Sequence, residues 1–303
     1  MSQSIKLDPD QRKQLMRRSD AKGLIQLSGH LAVLGMTGAG VWLSAGSAWM
    51  YLTLPVYGTV MVFLFAPLHE TVHYTAFARK WLNNAVAAVI GFLLVLPYQY
   101  FRAFHYGHHR YTQDPQRDPE AIGSKPQSVA RWVLHVSGLP VWREHIVTLC
   151  RHAAGRIDEA EQFIEVHKHS AIILEARIHL AGYALVLWFS LMLSSAVIWW
   201  YWILPLLLGQ PMLRLFLLAE HTDCDESDDM LANSRTTYTS PLMSFLCWNM
   251  CYHAEHHYLA AVPFHALPAL HACTGTAVKH KGDGYWNVNR DIFLALPHRV
   301  NRP

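Results

Sequence analysis

The amino-acid sequence predicts an all-α integral membrane protein, with four transmembrane helices in two hairpins and a helical cytoplasmic cap that carries a metal site. Three observations lead to this prediction. Hydrophobic residues make up 52% of the 303 residues and charged residues only 16%, against roughly 25% charged residues in a typical soluble domain. Several apolar stretches are about as long as a bilayer is thick. Histidine occurs 20 times, largely in short clusters beside those stretches.

Four apolar stretches are long enough, or nearly so, to cross a bilayer: 24–45, 49–68, 180–202 and 203–219. The last two meet at the aromatic run Trp199–Trp202, which is typical of a bilayer interface, so we predict the turn of the second hairpin there. The alternative is a pair of buried helices in a soluble protein, and the scarcity of charges in these stretches disfavours it.

The orientation of the spans follows from the basic residues. Six of them precede the first span, which predicts a cytoplasmic N-terminus by the positive-inside rule. The segment 102–178 is rich in Arg, Lys and His and is also predicted to be cytoplasmic. The six basic residues are Lys6, Arg12, Lys13, Arg17, Arg18 and Lys22.

The predicted organisation has three parts: a cytoplasmic N-terminal segment 1–23, a membrane domain 24–275 and a cytoplasmic tail 276–303. A shorter apolar segment at about 85–101 contains a proline and is predicted to lie in the interface or to re-enter the membrane. We expect that this segment does not cross the bilayer, because a crossing would place His69 and His105 on opposite sides of the membrane.

The composition excludes several classes of protein. The formal net charge is +3, so the chain lacks the strong basic excess of a nucleic-acid binder, and we expect no nucleic-acid partner. The five cysteines form no CxxC motif, which disfavours a disulfide framework and a thiolate metal site.

The histidines lie in four clusters: HETVH at 69–73, HYGHH at 105–109, the isolated His221, and HAEHH at 253–257. On a helix, residues four apart share one face, so both histidines of HxxxH can approach one ion. For HxxHH we expect i and i+3 on one face, with i+4 reaching toward a second ion. The predicted metal ligands are His69, His73, His105, His108, His109, His221, His253, His256 and His257.

Nine imidazoles are too many for one ion, since zinc in proteins takes about four ligands. Two ions would share them and keep open positions. Imidazole suits iron, copper, nickel and zinc. Open positions at a membrane surface favour dioxygen chemistry on a lipid over hydrolysis. We expect the other histidines, such as His30, His135, His152 and His280, to be ordinary hydrogen-bonded residues.

These motifs resemble those of the membrane fatty acid desaturases and their hydroxylase relatives. The resemblance covers about 40–275 and is carried by HETVH at 69–73, HYGHH at 105–109, AEHT at 219–222 and YHAEHH at 252–257, in that order. The stretches HHRYTQDPQRDPE and NSRTTYTSPL are similar to bacterial members of the family.

The resemblance implies a non-haem di-iron centre held by the nine histidines, with no separate catalytic residue. It also implies O2 as co-substrate, a fatty acyl or other lipid substrate, and desaturation, with hydroxylation or ketone formation as the alternative. Some relatives have an asparagine one turn before the isolated histidine, where this chain has Leu217. No flavin, nicotinamide or iron–sulfur motif is visible, so the resemblance implies an external electron donor, a ferredoxin or a small cytochrome. We expect the active site on the cytoplasmic face of a bacterial inner membrane.

Several carboxylates could orient the histidines, because a ligating imidazole usually donates its second N–H to a carboxylate or a carbonyl. Glu70, Glu220 and Glu255 lie inside the motifs, whereas Asp114 and Asp118 follow the second one and could equally cap a turn. Similarly, Arg235 and Asn249 could pair with acids or cap backbone groups.

The main alternative from another class is a membrane zinc protease, since HETVH satisfies HExxH with Glu70 as general base. That function would leave at least six clustered histidines unused. A metal transporter would need histidines inside the spans. A bis-histidine haem protein would need facing pairs there, and only His30 lies within a predicted span.

Overall fold

The computed structural model describes residues 7–120 and 125–299 and is mostly helical. The ends of the predicted N-terminal segment and tail, 1–6 and 300–303, lie outside the described residues. The helices are α1 (Pro9–Leu15), α2 (Asp20–Leu43), α3 (Met50–Val62), α4 (Phe65–Val72), α5 (Lys80–Leu93), α6 (Tyr98–Tyr111), α7 (Val129–Val136), α8 (Leu139–Ala153), α9 (His169–Met192), α10 (Leu204–His221), α11 (Pro241–Leu246), α12 (His253–Tyr258), α13 (Leu267–Thr274) and α14 (Tyr285–Arg299). The strands are β1 (Arg235–Tyr238) and β2 (His280–Asp283), and short helical turns cover Val166–Lys168, Trp199–Ile203 and Phe264–Ala266.

Among the described residues, four helical stretches are long and apolar enough to cross a membrane. They are Asp20–Leu43, Met50–Val72, Val166–Met192 and Trp199–His221. Large apolar side chains such as Trp42, Leu43 and Trp188 are exposed on their surfaces. Such exposure is unfavourable in water and suits contact with lipid tails. The prediction of a mainly helical chain with about four candidate membrane-spanning helices is therefore confirmed, whereas strands β1 and β2 depart from the predicted all-α fold.

The last two spans differ from their predicted limits of 180–202 and 203–219. The third ends at Met192 and the fourth begins at Trp199. The turn between them contains Ser194 with a positive φ of 48°, and Ser190 Oγ donates a 2.6 Å hydrogen bond to the Ser195 carbonyl. The aromatic run therefore begins the fourth helix. Aromatic rings favour an interface wherever the helix itself ends, so they could not mark the turn.

The predicted interfacial segment 85–101 contains the corner between α5 and α6, which meet at a bend of 101°. Val95 adopts a positive φ of 55° at this corner. Both carboxylate oxygens of Glu175 accept hydrogen bonds from the first backbone amides of α6, at Tyr98 (3.0 Å) and Gln99 (2.9 Å). These amides have no partners within their own helix, so the carboxylate stabilises its start.

Close packing of α3 against α10 brings two spans together without intervening side chains. A Cβ atom on Gly58 would lie 2.3 Å from the Pro205 carbonyl oxygen, and one on Gly209 would lie 2.1 Å from the Gly58 oxygen. Small residues allow this approach in membrane helices. Nearby, the rings of Phe63 and Phe216 meet edge to face, with centroids 5.3 Å apart.

The C-terminal part of the chain packs onto α10. Strands β1 and β2 form a two-stranded parallel sheet with Arg235 opposite His280. Val288 and Ile292 of α14 are buried against Leu218 and Ala219 of α10. The described residues of the predicted tail therefore pack with the membrane domain.

Helices α7 and α8 form a hairpin beside α10. Gly138 joins them with a φ of 72°, and a Cβ atom there would lie 2.7 Å from the Gln210 side chain. The outer surface of the hairpin exposes Val133, Leu134 and Ile146. Part of the predicted cytoplasmic segment 102–178 is thus apolar on its outside.

Candidate metal centre

The structure brings all nine predicted histidines together in two adjacent groups. In each group the ring nitrogens that could bind an ion lie within 4.8 Å of one another. The five-histidine group consists of His69, His73, His105, His109 and His256, and the four-histidine group consists of His108, His221, His253 and His257. The rings of His109 and His257 stack between the groups with centroids 4.1 Å apart. The assignment of these residues as ligands remains a prediction.

Three helices build the five-histidine group. His69 lies in α4 and His73 caps its C-terminal end, whereas α6 supplies His105 and His109, and α12 supplies His256. The Nε2 atom of His109 lies 3.0 Å from that of His105 and 3.1 Å from that of His256. The imidazoles therefore point their nitrogens at a common region.

The four-histidine group joins α6 and α12 to the last residue of α10. The Nε2 atom of His221 lies 2.8 Å from Nε2 of His253 and 3.2 Å from Nε2 of His108. His257 completes the group, and its Nε2 atom is enclosed without a hydrogen-bond partner among the described residues.

The two HxxHH motifs distribute their side chains differently from the expectation. The first and last histidines of each motif share a group, whereas the histidine at i+3 belongs to the other group: His108 and His256 are the two that cross over. The reason is the helical repeat of 3.6 residues. A residue at i+4 lies roughly 40° from residue i around the axis, whereas i+3 lies roughly 60° away on the opposite side.

The second ring nitrogens of His108 and His221 in the four-histidine group have fixed partners. His108 Nδ1 lies 2.9 Å from the Asp118 carboxylate, and His221 Nδ1 lies 3.2 Å from the Asn233 carbonyl oxygen. Both oxygens accept, so each Nδ1 carries the proton and each Nε2 presents its lone pair. His253 Nδ1 lies 3.2 Å from the Glu220 carboxylate.

Thr112 fixes the fourth ring in the same way. Its hydroxyl donates to the His108 carbonyl oxygen at 2.7 Å, so the hydroxyl oxygen accepts from His257 Nδ1 at 3.2 Å. The Nε2 atom of His257 is therefore also a bare acceptor. Bare nitrogens this close repel one another unless a cation lies between them, which is the arrangement expected of a metal site.

Burial favours the neutral form of most of these imidazoles. At His108 burial acts in the same direction, but the nearby Glu120 and Asp118 carboxylates outweigh it and raise the pKa. Burial, and to a lesser extent the nearby Arg102 guanidinium, lowers the pKa of His73 to about 3. Burial, followed by the charges of neighbouring histidines, lowers the pKa values of His253, His256 and His257 well below that of an ordinary imidazole. Metal binding requires neutral imidazole, so the donor set fits a metal.

The carboxylates suggested by the sequence have different contacts. Asp118 and Glu220 contact histidines of the four-histidine group. Asp114 instead pairs with Arg117 and accepts backbone hydrogen bonds within its own turn. Glu255 contacts Thr236 and His271.

Glu70, Arg235 and Asn249 have roles in holding the backbone. Glu70 Oε2 accepts from Thr75 Oγ1 at 2.7 Å and from the Phe264 amide at 3.1 Å. Arg235 donates to the Ala219 carbonyl oxygen and, at 2.8 Å, to that of Thr222, which caps the end of α10 beside His221. Asn249 donates to the Phe264 carbonyl oxygen at 3.1 Å.

A cavity of about 670 Å³ borders both groups. His69 and His105 of one group and His108, His221 and His253 of the other line it. Most of the remaining wall is aromatic or aliphatic, including Phe63, Phe65, Phe101, Phe104, Leu213 and Phe216. A mainly apolar cavity beside neutral imidazoles suits an apolar ligand next to bound metal.

Comparison with known proteins places most of the chain in one family. A model of the fatty acid desaturase family matches residues 24–288. The chain belongs to the fatty acid desaturase family. The expected membership of this family is thereby confirmed, and the relatives described next are bacterial, as expected.

Relatives of this desaturase family member include three cyanobacterial proteins named sn-1 oleoyl-lipid 12-desaturase. That of Picosynechococcus sp. is 23% identical over 246 residues, covering 73% of this chain and 69% of the relative. That of Arthrospira platensis is 23% identical over 290 residues, covering 85% and 79%. That of Anabaena variabilis is 27% identical over 99 residues, covering 32% and 28%. The specificity in these names belongs to those proteins.

Sequence reasoning missed several residues that contact the centre of this desaturase family member, and Thr112 and Asn233 are two of them. Thr112 lies one turn after His108 in α6, and its position at i+4 was a usable signal. Asn233 contributes a backbone carbonyl from an irregular segment, and a carbonyl contact of this kind has no sequence signature.

Proposed function

We propose that this protein is an O2-dependent oxidoreductase that introduces a double bond into a fatty acyl or other lipid chain, with two iron ions held by the nine histidines. The observation that carries the proposal is the convergence of four separate segments into two histidine groups beside one apolar cavity. Family membership supports the same reaction class.

The residues present fit this cofactor. The five-histidine group would hold one ion and the four-histidine group the other. When bound, an iron pair supplies O2 activation and the removal of hydrogen from an unactivated C–H bond. Asp118 and the Asn233 carbonyl hold their imidazoles with Nε2 free to bind, which is the usual function of such contacts.

The cavity wall would bind and position the lipid. Aromatic side chains such as Phe101 and Phe104 contact the chain and exclude water from the histidine groups. Neither residue offers a hydrogen bond, so chain length and shape determine how far a substrate enters. Exclusion of water also limits side reactions at the centre.

We further propose that the centre lies on the cytoplasmic face of a bacterial inner membrane. Four basic residues lie just before α2 or in its first turn: Lys13, Arg17, Arg18 and Lys22. By the positive-inside rule, this charge supports a cytoplasmic position for this end of the chain. An external electron donor, a ferredoxin or a small cytochrome, would reach the centre from that side.

Hydroxylation or ketone formation is the alternative reaction of the same centre, and desaturation is preferred because the three relatives carry the name desaturase. The zinc protease alternative fits less well. Glu70 Oε2 is engaged by Thr75 and Phe264, and its Oε1 atom is enclosed without a hydrogen-bond partner among the described residues. A general base needs access to water.

The test is expression in a host of known lipid composition, followed by mass spectrometry of total lipids and metal analysis of the purified protein. We expect new lipids that lack two hydrogens and about two irons per chain. His256→Ala should remove the product and the iron of the five-histidine group while membrane insertion is retained. His167→Ala is the matched control, because that histidine is exposed on the surface.

Three results would contradict parts of the proposal. Unchanged product from His256→Ala would exclude this histidine as a ligand. Lipids that gain oxygen would indicate the hydroxylase alternative. One zinc and no iron in the active protein would support the protease alternative.

A further inference from the structure

The cavity continues past the histidine groups to a second cluster of polar side chains. This cluster consists of Gln210 and Arg214 from α10, His135 from α7 and His145 from α8, all of which line the cavity. We propose that it is a binding site for the anionic head of an amphiphilic ligand, a carboxylate or a phosphate. The inference rests on the proposed function in that the apolar chain of the ligand would lie in the same cavity.

Arg214 lies on the face of α10 that leads to His221. The two residues are separated by two helical turns, or roughly 10 Å along the axis. Arg214 is thus a permanent charge within a candidate membrane span, Trp199–His221. Such a charge is costly unless it is paired, and it usually marks a functional pathway.

Four polar atoms of this cluster lack partners. Arg214 Nε, His135 Nε2, His145 Nδ1 and Gln210 Oε1 are all enclosed, and none has a hydrogen-bond partner within 7–120 and 125–299. Gln210 is only 5% exposed. Leaving such a group buried without a partner is unfavourable. Four of them on one cavity wall indicate a ligand that supplies the missing bonds.

Glu120 and Glu220 are the carboxylates whose charges act on Arg214, but neither contacts the guanidinium. Neither Glu120 nor Glu220 forms an ion pair with Arg214 within 4.0 Å. Glu220 lies 3.2 Å from His253 Nδ1, and Glu120 lies 3.5 Å from His108 Nε2. The guanidinium is therefore available to an anion, which it can bind through two parallel hydrogen bonds.

The two imidazoles complement the guanidinium. Burial, and then the Arg214 charge, lowers the pKa of His135 to about 4 and that of His145 to about 3. Both rings are neutral at pH 7, so neither adds charge. His135 also has the Arg214 backbone as a hydrogen-bond partner, whereas His145 can donate one N–H to a ligand. An amide such as Gln210 can turn its NH2 group toward an oxygen. The cluster thus offers one positive charge and several neutral donors, which suits a single anionic group.

The surrounding structure suits a ligand from the bilayer. His135 and His145 lie on the α7–α8 hairpin, whose outer surface exposes Val133, Leu134 and Ile146. If Arg214 binds the anionic head group of the ligand, the C–H bonds at a fixed distance from that head group along the acyl chain lie beside the histidine groups. The position of attack would then be counted from the head of the substrate.

The test is direct binding of radiolabelled oleate, oleyl phosphate and oleyl alcohol to the purified full-length protein in detergent. The three probes share one chain and differ in charge. Arg214→Gln should weaken binding of the preferred anionic probe about tenfold or more, as expected for the loss of a charge-assisted hydrogen bond. Binding of oleyl alcohol should stay unchanged. Arg143→Gln is the matched control, because Arg143 is exposed on α8.

Arg214→Lys, which keeps the charge, should retain part of the affinity, and His145→Gln should weaken the anionic probe without altering oleyl alcohol. Whichever of oleate and oleyl phosphate binds more tightly would identify the anionic group that the site prefers, a carboxylate or a phosphate. Equal binding of all three probes to the unaltered protein would overturn the inference, as would equal weakening of charged and uncharged probes by Arg214→Gln and His145→Gln. These measurements need no turnover, so they leave the reaction to be tested separately by the lipid products.

Discussion

Asp114 and Asp118 lie four residues apart, yet only Asp118 contacts the histidine groups. Its Oδ1 atom lies 2.9 Å from His108 Nδ1, and both side chains are buried. Asp114 pairs with Arg117 in a turn. The position of the proton on His108, and with it the lone pair on Nε2, therefore depends on Asp118.

Asp118→Asn is expected to weaken metal binding by about ten- to a hundredfold, because loss of such a contact to a ligating histidine typically costs this much. Competition between the purified protein and a coloured iron chelator measures the change. Asp114→Asn is the matched control and should bind iron like the unaltered protein. Equal affinities in the two variants would mean that Asp118 does not orient His108.

The histidine motifs could be recognised from the sequence, because identity and spacing alone select them. The division of the histidines into a five-histidine and a four-histidine group could not be predicted. It depends on which histidines from other helices each side chain meets. The choice between Asp114 and Asp118 was likewise open, because a turn can present either carboxylate. Arg214 stood inside an apolar stretch, and only the position of the α7–α8 hairpin shows what surrounds it.

At the scale of helices, α3 and α10 are joined through their glycines. Gly58→Ala would bring a methyl group to 2.3 Å from the Pro205 carbonyl oxygen, so the helices must separate. We expect destabilisation of about 1–3 kcal/mol, as for overpacked cores, and weaker metal binding, because α3 leads to His69 and α10 ends at His221.

The change is measured as the apparent melting temperature of the purified protein in detergent. Gly35→Ala is the matched control, since it makes the same substitution in α2 where a Cβ atom meets nothing within 4 Å. Alanine also favours helices over glycine by about 1 kcal/mol, so the control should be as stable as the unaltered protein or more so. A melting temperature for Gly58→Ala equal to that of the control would contradict the close approach.

Helix existence was easier to predict than helix ends. Long apolar runs predicted four spans, because length and composition alone decide whether a helix can cross a bilayer. The turn between α9 and α10 was placed too late, since serines with a local hydrogen bond form it while the aromatic run continues as helix. The corner between α5 and α6 depends on Glu175, which lies far along the chain and could not be linked to it from sequence.

At the scale of the whole molecule, all four histidine segments meet at one site, so their chain ends must lie on one side of the membrane. The bend of 101° between α5 and α6 allows the chain to enter and return between HETVH and HYGHH. If that pair crossed the bilayer, the rings of His69 and His105 could not lie with centroids 4.3 Å apart.

Labelling of single cysteines tests this arrangement in a background without the five native cysteines. Ser47 and Ser194 lie in the exposed turns after α2 and α9, whereas Gln116 and Glu226 lie in exposed segments after α6 and α10. In intact bacterial cells, a membrane-impermeant maleimide should label cysteine at Ser47 and Ser194. Cysteine at Gln116 and Glu226 should react only after the cells are opened, because positive charges hold that side in the cytoplasm. Labelling of Gln116 and Glu226 from opposite sides would separate His108 from His221 by a bilayer, and the four-histidine group could not then form.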